Sequence, residues 1–321
     1  MYPRIAVVGC GQWGQNHIRT LAEIGALAGV ADRHDDRAGA FAERYGVKAL
    51  SPEAAVAASD IDALVLALPA SAHGAMARAA FAAGKDVLIE KPIALDSTDA
   101  EKTATAARAA GRLLMVGHVV RFHPVFQRLC EIVAEGQIGQ VRHLISNRMG
   151  LGRFPSMDVV WDLAPHDLSL VLHLAGEHPD TVICQRRTVL SDETDIADII
   201  LEFPSGIGAE IHVSRVSPYR DRRFSVIGTE GMLTFDDLAP EGEKLALYAH
   251  KVRRSGATFD FDNAPAAFLL TEPGLPLDRE LRHFLDCVMT RTEPETGASE
   301  AVETVRILSL ASPLSSPDLT A

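Results

Sequence analysis

The sequence predicts an α/β chain of two domains. Residues 1–120 form an N-terminal doubly wound (Rossmann) parallel sheet, and residues 121–321 form an α+β domain with a large, mostly antiparallel sheet. Three observations carry this. Short apolar runs alternate with longer alanine-rich helical runs through the first 120 residues, and a glycine cluster, Gly9-Cys10-Gly11-Gln12-Trp13-Gly14, follows the first apolar run directly. From Thr181 the apolar pattern changes to period two. At 321 residues the chain also exceeds one ordinary core.

Apolar runs of strand length stand at 5–8, 27–31, 63–68, 86–89 and 113–116, and helical spacing fills 14–24, 37–45, 72–83 and 98–110. Several of these runs are apolar at every position, as expected when helices cover both faces of a parallel sheet. Repeated β-α-β order with tight connections is the pattern of a doubly wound fold. Beyond Arg121 the spacing predicts a helix over 124–136, a strand over 141–147, a loop over 150–158 and a helix over 163–175. Ile199, Leu201 and Phe203, then Ile207, Ala209, Ile211 and Val213 across Pro204-Ser205-Gly206, give an antiparallel hairpin with one apolar face. Strands are expected at 223–227, 232–235 and 244–250, helices at 278–289 and 299–310, and a frayed end from Ser312.

Composition narrows the function classes. Thirty-one basic residues against 43 acidic ones give a formal charge of −12. Nonspecific nucleic-acid binding depends on neutralising phosphates, so no nucleic-acid partner is expected. No stretch approaches the roughly 18 consecutive apolar residues of a membrane helix, and no signal-peptide pattern precedes the first strand. A cytoplasmic protein is expected. Cys10, Cys130, Cys184 and Cys287 lie far apart with no C-x-x-C pair, and none of the 12 histidines stands in H-E-x-x-H spacing. The reading is therefore reduced thiols and no metal site.

Gly9, Gly11 and Gly14 make a G-x-G-x-x-G loop between strand and helix. The first glycine allows the tight turn, the second a close pyrophosphate, and the third close packing of helix on strand. The helix N-terminus at Gln12 and Trp13 offers N–H groups to phosphates. Asp32 closes the second strand, where a carboxylate accepts both adenosine ribose hydroxyls and repels a 2′-phosphate, so NAD is favoured. Arg33 and Arg37 keep NADP open, because a guanidinium there can hold that phosphate.

Glu90-Lys91-Pro92 stands at the carboxyl end of a predicted strand, the edge where doubly wound sheets place ligands. A lysine there can hydrogen-bond a substrate oxygen and stabilise negative charge on it. Asp162 and His166 are four residues apart on a predicted helix and share a face. Pro165 would fit the first turn of that helix, and Asp167 would cap it. A carboxylate beside an imidazole fixes its tautomer and stabilises its protonated form, which suits general acid–base work.

Glycine loop, Asp32, Leu68-Pro69-Ala70-Ser71-Ala72-His73, Glu90-Lys91-Pro92 and Val116-Gly117-His118-Val119-Val120-Arg121-Phe122 stand in the order of the Gfo/Idh/MocA oxidoreductase family. Trp161-Asp162-Leu163-Ala164-Pro165-His166-Asp167 and Glu280-Leu281-Arg282-His283-Phe284 resemble its later landmarks, so the resemblance covers nearly the whole chain. Within the family it is nearest bacterial members acting on nucleotide-linked sugars, such as UDP-N-acetylglucosaminuronate 3-dehydrogenases. The resemblance implies an NAD(P)-dependent dehydrogenase or ketoreductase of a sugar secondary alcohol. Lys91 and His166 would meet at the substrate hydroxyl with Asp162 behind the histidine. Leu68, Pro69, His73, Glu90, Lys91 and Arg121 would lie along the cofactor, with Arg121 near its junction with substrate. Ser71 departs from the asparagine the family often carries there.

A nucleotide sugar's diphosphate calls for cations on this acidic chain. Arg148 and Arg153, in a loop-flanked stretch over 147–154, and Arg220, Arg222 and Arg223 are the candidates. His118, Trp161 and Tyr219 join Lys91, Asp162 and His166 on the expected substrate side. The C-terminal sheet needs its second face covered, so a homodimer or homotetramer through it is expected. Two other readings remain open: an inositol or free-sugar dehydrogenase of the same family, and a non-catalytic NAD-binding sensor or scaffold.

Overall fold

The computed structural model describes residues 2–152, 157–262 and 264–311. The chain divides into two compact units, Met1–Phe122 with Leu275–Ser309, and His123–Gly274 with Leu310–Ala321.

The first unit runs β1 (Ile5–Val8), α1 (Gln12–Ile24), β2 (Leu27–Ala31), α2 (Asp35–Tyr45), β3 (Lys48–Leu50), α3 (Pro52–Ala57), β4 (Ala63–Leu66), α4 (Ala70–Ala82), β5 (Asp86–Glu90), α5 (Ser97–Ala110) and β6 (Leu114–Gly117), then a 3-10 turn at Val119–Phe122. Its six strands are parallel in the order β3-β2-β1-β4-β5-β6. The order reverses between β1 and β4, which opens a crevice at the carboxyl ends of the strands. Every residue of β1 and β4 is buried, which explains their unbroken apolar runs. On α1 the buried face is Gly14, His17, Ile18 and Leu21, and Gly25 ends the helix in the left-handed region.

The second unit runs α6 (Pro124–Ala134), β7 (Val141–Met149), α7 (Val159–Ala175), β8 (Thr181–Arg187), β9 (Ile196–Glu202), β10 (Gly208–Ser214), β11 (Asp221–Gly228), β12 (Met232–Asp236), β13 (Leu245–Tyr248), β14 (Lys251–Ser255), β15 (Thr258–Asp262) and β16 (Ala267–Phe268). Eight strands form a mixed sheet, β16-β13-β12-β11-β7-β10-β9-β8, in which the β7–β10 pair is parallel and the other pairs antiparallel. Leu144, Ile199, Leu201, Ala209, Ile211, Val213, Phe224, Val226 and Leu233 are buried on the face that α6 and α7 cover. The other face carries His143, Asp198, Ile200, Glu210 and His212, and His212 Nδ1 stands 2.6 Å from Asp198 Oδ1 across β9 and β10.

The last two helices, α8 (Pro276–Thr290) and α9 (Ala298–Leu310), fall in the first unit, where the sequence reading had assigned them to the second domain. Leu281, Phe284 and Leu285 of α8 join Ile18, Leu21, Val65 and Phe122 in one core. Thr296 O accepts the Val116 N–H at 2.8 Å, so the segment also adds to the sheet edge. An apolar face chooses its partner by fit, not by chain order. The short elements β3 and α3 and the hairpin β14–β15 were not foreseen. Every residue of β14 and β15 is exposed, so no buried stripe announces them.

Candidate functional site

In the first unit the glycine loop has the geometry its pattern requires. Gly9 sits at φ 101°, and a Cβ there would stand 2.4 Å from the Ala67 carbonyl oxygen. A Cβ on Gly14 would stand 1.7 Å from the Gly9 oxygen, so helix and strand can approach only through glycine. Nothing lies within 4 Å of a Cβ on Gly11, which leaves its backbone open to a pyrophosphate. Gly11 is also the N-cap of α1 and supplies no capping side chain, while Gln12 and Trp13 are exposed beside it. Asp32 is fixed by two backbone donors, Cys10 N–H to Oδ2 at 2.8 Å and His34 N–H to Oδ1 at 3.0 Å, with Arg37 Nη1 3.5 Å away. Burial raises its pKa, but these donors and Arg37 prevail and hold it below the usual carboxylate value. Arg33 is exposed and points its Nε at His34 Nε2, 3.2 Å away. These residues fit a dinucleotide.

Leu68 and Pro69 lead from β4 into α4, and Glu90 and Lys91 end β5 two strands from the glycine loop. The Lys91–Pro92 peptide is cis. His73 is buried, with Nδ1 2.8 Å from Pro92 O and Nε2 2.8 Å from Leu68 O. It straps the two loops together and has no ring nitrogen turned outward. Glu90 Oε1 meets His17 Nε2 at 2.7 Å. His17 was not foreseen, although a histidine on the core face of a glycine-loop helix is itself a signal that a buried partner exists. Arg121 is buried and donates from Nη1 to Glu300 Oε2 at 3.0 Å, so its guanidinium braces α9.

His118 is 2 % exposed, and neither ring nitrogen is hydrogen-bonded among the described residues. Burial first, then the positive charges of Arg121 and Lys91, push its pKa down to about 3. An unfolded histidine titrates near about 6.5, so between these values the unfolded chain binds a proton that the folded chain refuses. Stability is therefore full above about pH 6.5 and falls as pH drops toward 3, by about 1.4 kcal/mol per pH unit from this group. Urea unfolding at pH 7 and pH 5 should show that slope in the wild type and lose this share of it in His118→Gln.

In the second unit, α7 begins four residues before the predicted start, with Asp158 as N-cap accepting the Val160 N–H at 2.8 Å. Pro165 therefore lies inside the helix and not in its first turn. Asp162 and His166, both partly buried, keep their i,i+4 relation on one face. Asp167 is not a cap. It is 1 % exposed, accepts Ser146 Oγ at 2.7 Å and grips Arg148 with two bonds of 2.7 and 3.0 Å. Arg148 thus reinforces the β7–α7 contact, and the diphosphate role expected of it has a committed competitor.

Arg223 pairs with Asp221 at 2.6 Å and Arg222 with Asp237 at 3.4 Å. Arg220 and Tyr219 are exposed, and Arg220 has no ion pair among the described residues. Trp161 is partly buried on α7. Arg153 lies outside the described residues.

The residues that aim α7 went unforeseen. Arg215, buried, gives Nε to Asp195 Oδ1 at 2.8 Å and Nη1 to Met157 O at 2.9 Å. Asp195 also accepts the N–H groups of Val189, Leu190 and Ser191 and the Ser191 hydroxyl. The signal was available: Arg215 continues the inward parity of Ile211 and Val213, where an arginine requires a buried anion.

The first unit thus gathers Gly9, Gly11, Gln12, Trp13, Gly14, Asp32, Glu90 and Lys91 along the carboxyl edge of one sheet, and the second sets Trp161, Asp162 and His166 on one helix. Comparison with known proteins bears on both. Residues 3–118 match the oxidoreductase family with an NAD-binding Rossmann fold, and residues 126–234 match the GFO/IDH/MocA C-terminal domain. The chain is 31% identical to UDP-N-acetylglucosamine 3-dehydrogenase of Acidithiobacillus ferrooxidans over 74% of its own length and 75% of the relative's. A crystal form of that enzyme superposes with a TM-score of 0.82 at 27% identity, covering 97% of each chain. It is 28% identical to scyllo-inositol 2-dehydrogenase (NAD(+)) of Bacillus subtilis over 91% of this chain and 87% of that one. GenD2 from gentamicin A biosynthesis, solved in complex with NAD, gives a TM-score of 0.80 at 25% identity over 97% of this chain and 93% of that one.

Proposed function

The chain belongs to the Gfo/Idh/MocA oxidoreductases, NAD-dependent dehydrogenases of CH–OH groups, and from that premise we propose that its substrate is the secondary alcohol of a nucleotide-linked sugar. The observation that carries the reading is Lys91 at the carboxyl end of β5, in the same sheet whose β1 end bears the glycine loop and Asp32. When bound, NAD supplies the acceptor for the carbinol hydride. Lys91 hydrogen-bonds the substrate oxygen and stabilises the negative charge that grows there as the proton leaves. His166 takes the hydroxyl proton, and Asp162, one turn earlier on α7, steadies the imidazolium that results. Asp32 accepts the ribose hydroxyls, and its negative charge favours NAD over NADP.

The nucleotide-linked substrate is favoured by the similarity to the UDP-sugar enzyme and by an exposed arginine on the second unit. Of the candidate arginines among the described residues, Arg220 is the one without a carboxylate partner and so the one placed to meet a diphosphate, since Arg148, Arg222 and Arg223 are held by carboxylates. The inositol dehydrogenase similarity supports a free polyol as the second reading. NADH formation with a panel of UDP- and dTDP-sugars, set against inositol and free hexoses, separates the two. Arg220→Glu should raise KM for a nucleotide sugar by about tenfold with kcat little changed, as loss of a charge-assisted phosphate contact requires. A free polyol substrate would leave KM unmoved. The face of the eight-strand sheet opposite α6 and α7 is where copies of the chain would pair, as a dimer or tetramer. Among the described residues no helix is long and apolar enough to cross a membrane.

A further inference from the structure

The amino ends of β1, β4, β5 and β6 open on a second cleft of the first unit, about 520 Å³ in volume, lined by the loops that precede these strands and by Val288 of α8. That volume lies within the range of small-molecule sites, roughly 300–1,000 Å³. The cleft stands at the opposite end of the sheet from the glycine loop, Asp32 and Lys91, which follow the carboxyl ends of their strands. The four residues of β4 separate the two edges by about 13 Å.

Two cations line this cleft without a carboxylate partner among the described residues. Lys85 is buried, and its ammonium donates to Ala58 O, at the end of α3, at 2.6 Å and to Ile61 O at 2.5 Å. Both acceptors are neutral, so a charge taken out of water has no counterion there, and the third N–H of the ammonium is uncommitted. Arg112 is partly buried. Its Nε is enclosed without a hydrogen bond, and its guanidinium has neither hydrogen bond nor ion pair among the described residues. Its Nη2 lies over Gly84, the residue before Lys85, 3.9 Å from the point a Cβ would occupy there. The acids nearby are largely committed. Asp86 accepts the Leu113 N–H at 2.9 Å and pairs with Arg291 at 2.5 Å, and Arg4 turns its guanidinium to Asp60. Asp62 accepts the Arg4 N–H on Oδ2 at 2.7 Å, which leaves Oδ1 without a hydrogen bond among the described residues.

We propose that this cleft is a binding site for a small organic phosphate. A phosphate monoester carries about two negative charges at neutral pH, which answers both cations, whereas a carboxylate answers one. The planar guanidinium of Arg112 takes two phosphate oxygens and the Lys85 ammonium the third. Asp62 Oδ1 accepts a hydroxyl of the organic part, and Ile61 and Val288 give that part an apolar wall.

Glycerol 3-phosphate titrated into the protein saturated with NAD tests this, because the cofactor then occupies the glycine loop. Isothermal titration should show one saturable site with a Kd on the order of 1 mM or tighter, and glycerol at matched ionic strength should show none. Arg112→Gln should weaken the ester at least about tenfold, the usual cost of losing a charge-assisted contact, and leave NAD affinity within about twofold. Arg112→Lys, which keeps the charge and loses the fork, should fall between the two. No saturable binding in the presence of NAD, or binding equally tight in Arg112→Gln, overturns the proposal. Should Arg112→Gln fail to fold, NMR of the wild type decides: the amide resonances of Gly84, Lys85 and Arg112 must shift on adding the ester, and shifts confined to other residues overturn the proposal.

Discussion

Lys91→Met is expected to lower kcat by about a thousandfold while NAD affinity changes by no more than about threefold. Methionine keeps the unbranched length of the side chain and removes only the donor and its charge. What it takes away is stabilisation that matters when negative charge develops on the substrate oxygen, so the loss belongs in kcat more than in KM. Cofactor affinity should survive because the proposed pyrophosphate and ribose contacts are those of the glycine loop and Asp32, which the substitution does not touch. His166→Ala should cost about a hundredfold or more through loss of the general base, and that loss should shrink as pH rises and hydroxide replaces it. Isothermal titration with NAD and initial rates on the active sugar check both parts.

Arg215→Ala is expected to destabilise the second unit by about 3–5 kcal/mol, the usual cost of leaving a buried ion without its partner. Asp195 would be left wholly buried, with backbone N–H groups and a hydroxyl but no countercharge. In the wild type, burial raises the Asp195 pKa, yet these donors and Arg215 win and hold it well below the usual carboxylate value. Because the folded value is depressed, the stabilisation is fully present above the unfolded value of about 3.9 and is lost as pH falls below it. Chemical denaturation at pH 7 should therefore show the full deficit of the variant. The deficit should narrow in strong acid, where Asp195 is protonated in either protein. The same substitution should also lower kcat, since Arg215 holds Met157 at the root of α7, the helix that presents Asp162 and His166.

The parts of the fold legible in the sequence are those whose burial leaves a period. β1 and β4 announced themselves by unbroken apolar runs, β5 by the apolar Val87–Ile89 between two acids, and β9 and β10 by alternation, because each has neighbours that make its pattern obligatory. The exposed hairpin β14–β15 has no such constraint and left no period. The placement of α8 could not be read from order along the chain, because its apolar face is equally suited to any helix until α1 is known to lack a cover. At the site, the glycine loop was legible because steric limits at Gly9 and Gly14 admit one residue type. The grip of Arg148 on Asp167 was not legible because loops beside strand ends usually hold solvated arginines, and nothing local shows that Asp167 turns inward to meet it. His17 and the Asp195–Arg215 pair went unseen for a related reason: each is a polar residue at a core-facing position, and its meaning lies in a partner distant in the chain.

The claim on which the function rests is that Lys91 and His166 serve one and the same hydroxyl, and a double-mutant cycle on kcat tests it most directly. Groups acting as a unit on one transition state are strongly non-additive. The account predicts that Lys91→Met combined with His166→Ala is scarcely slower than the worse of the two single variants, with NAD still bound. Losses that multiply, so that the double variant falls by the product of the single effects, would contradict it.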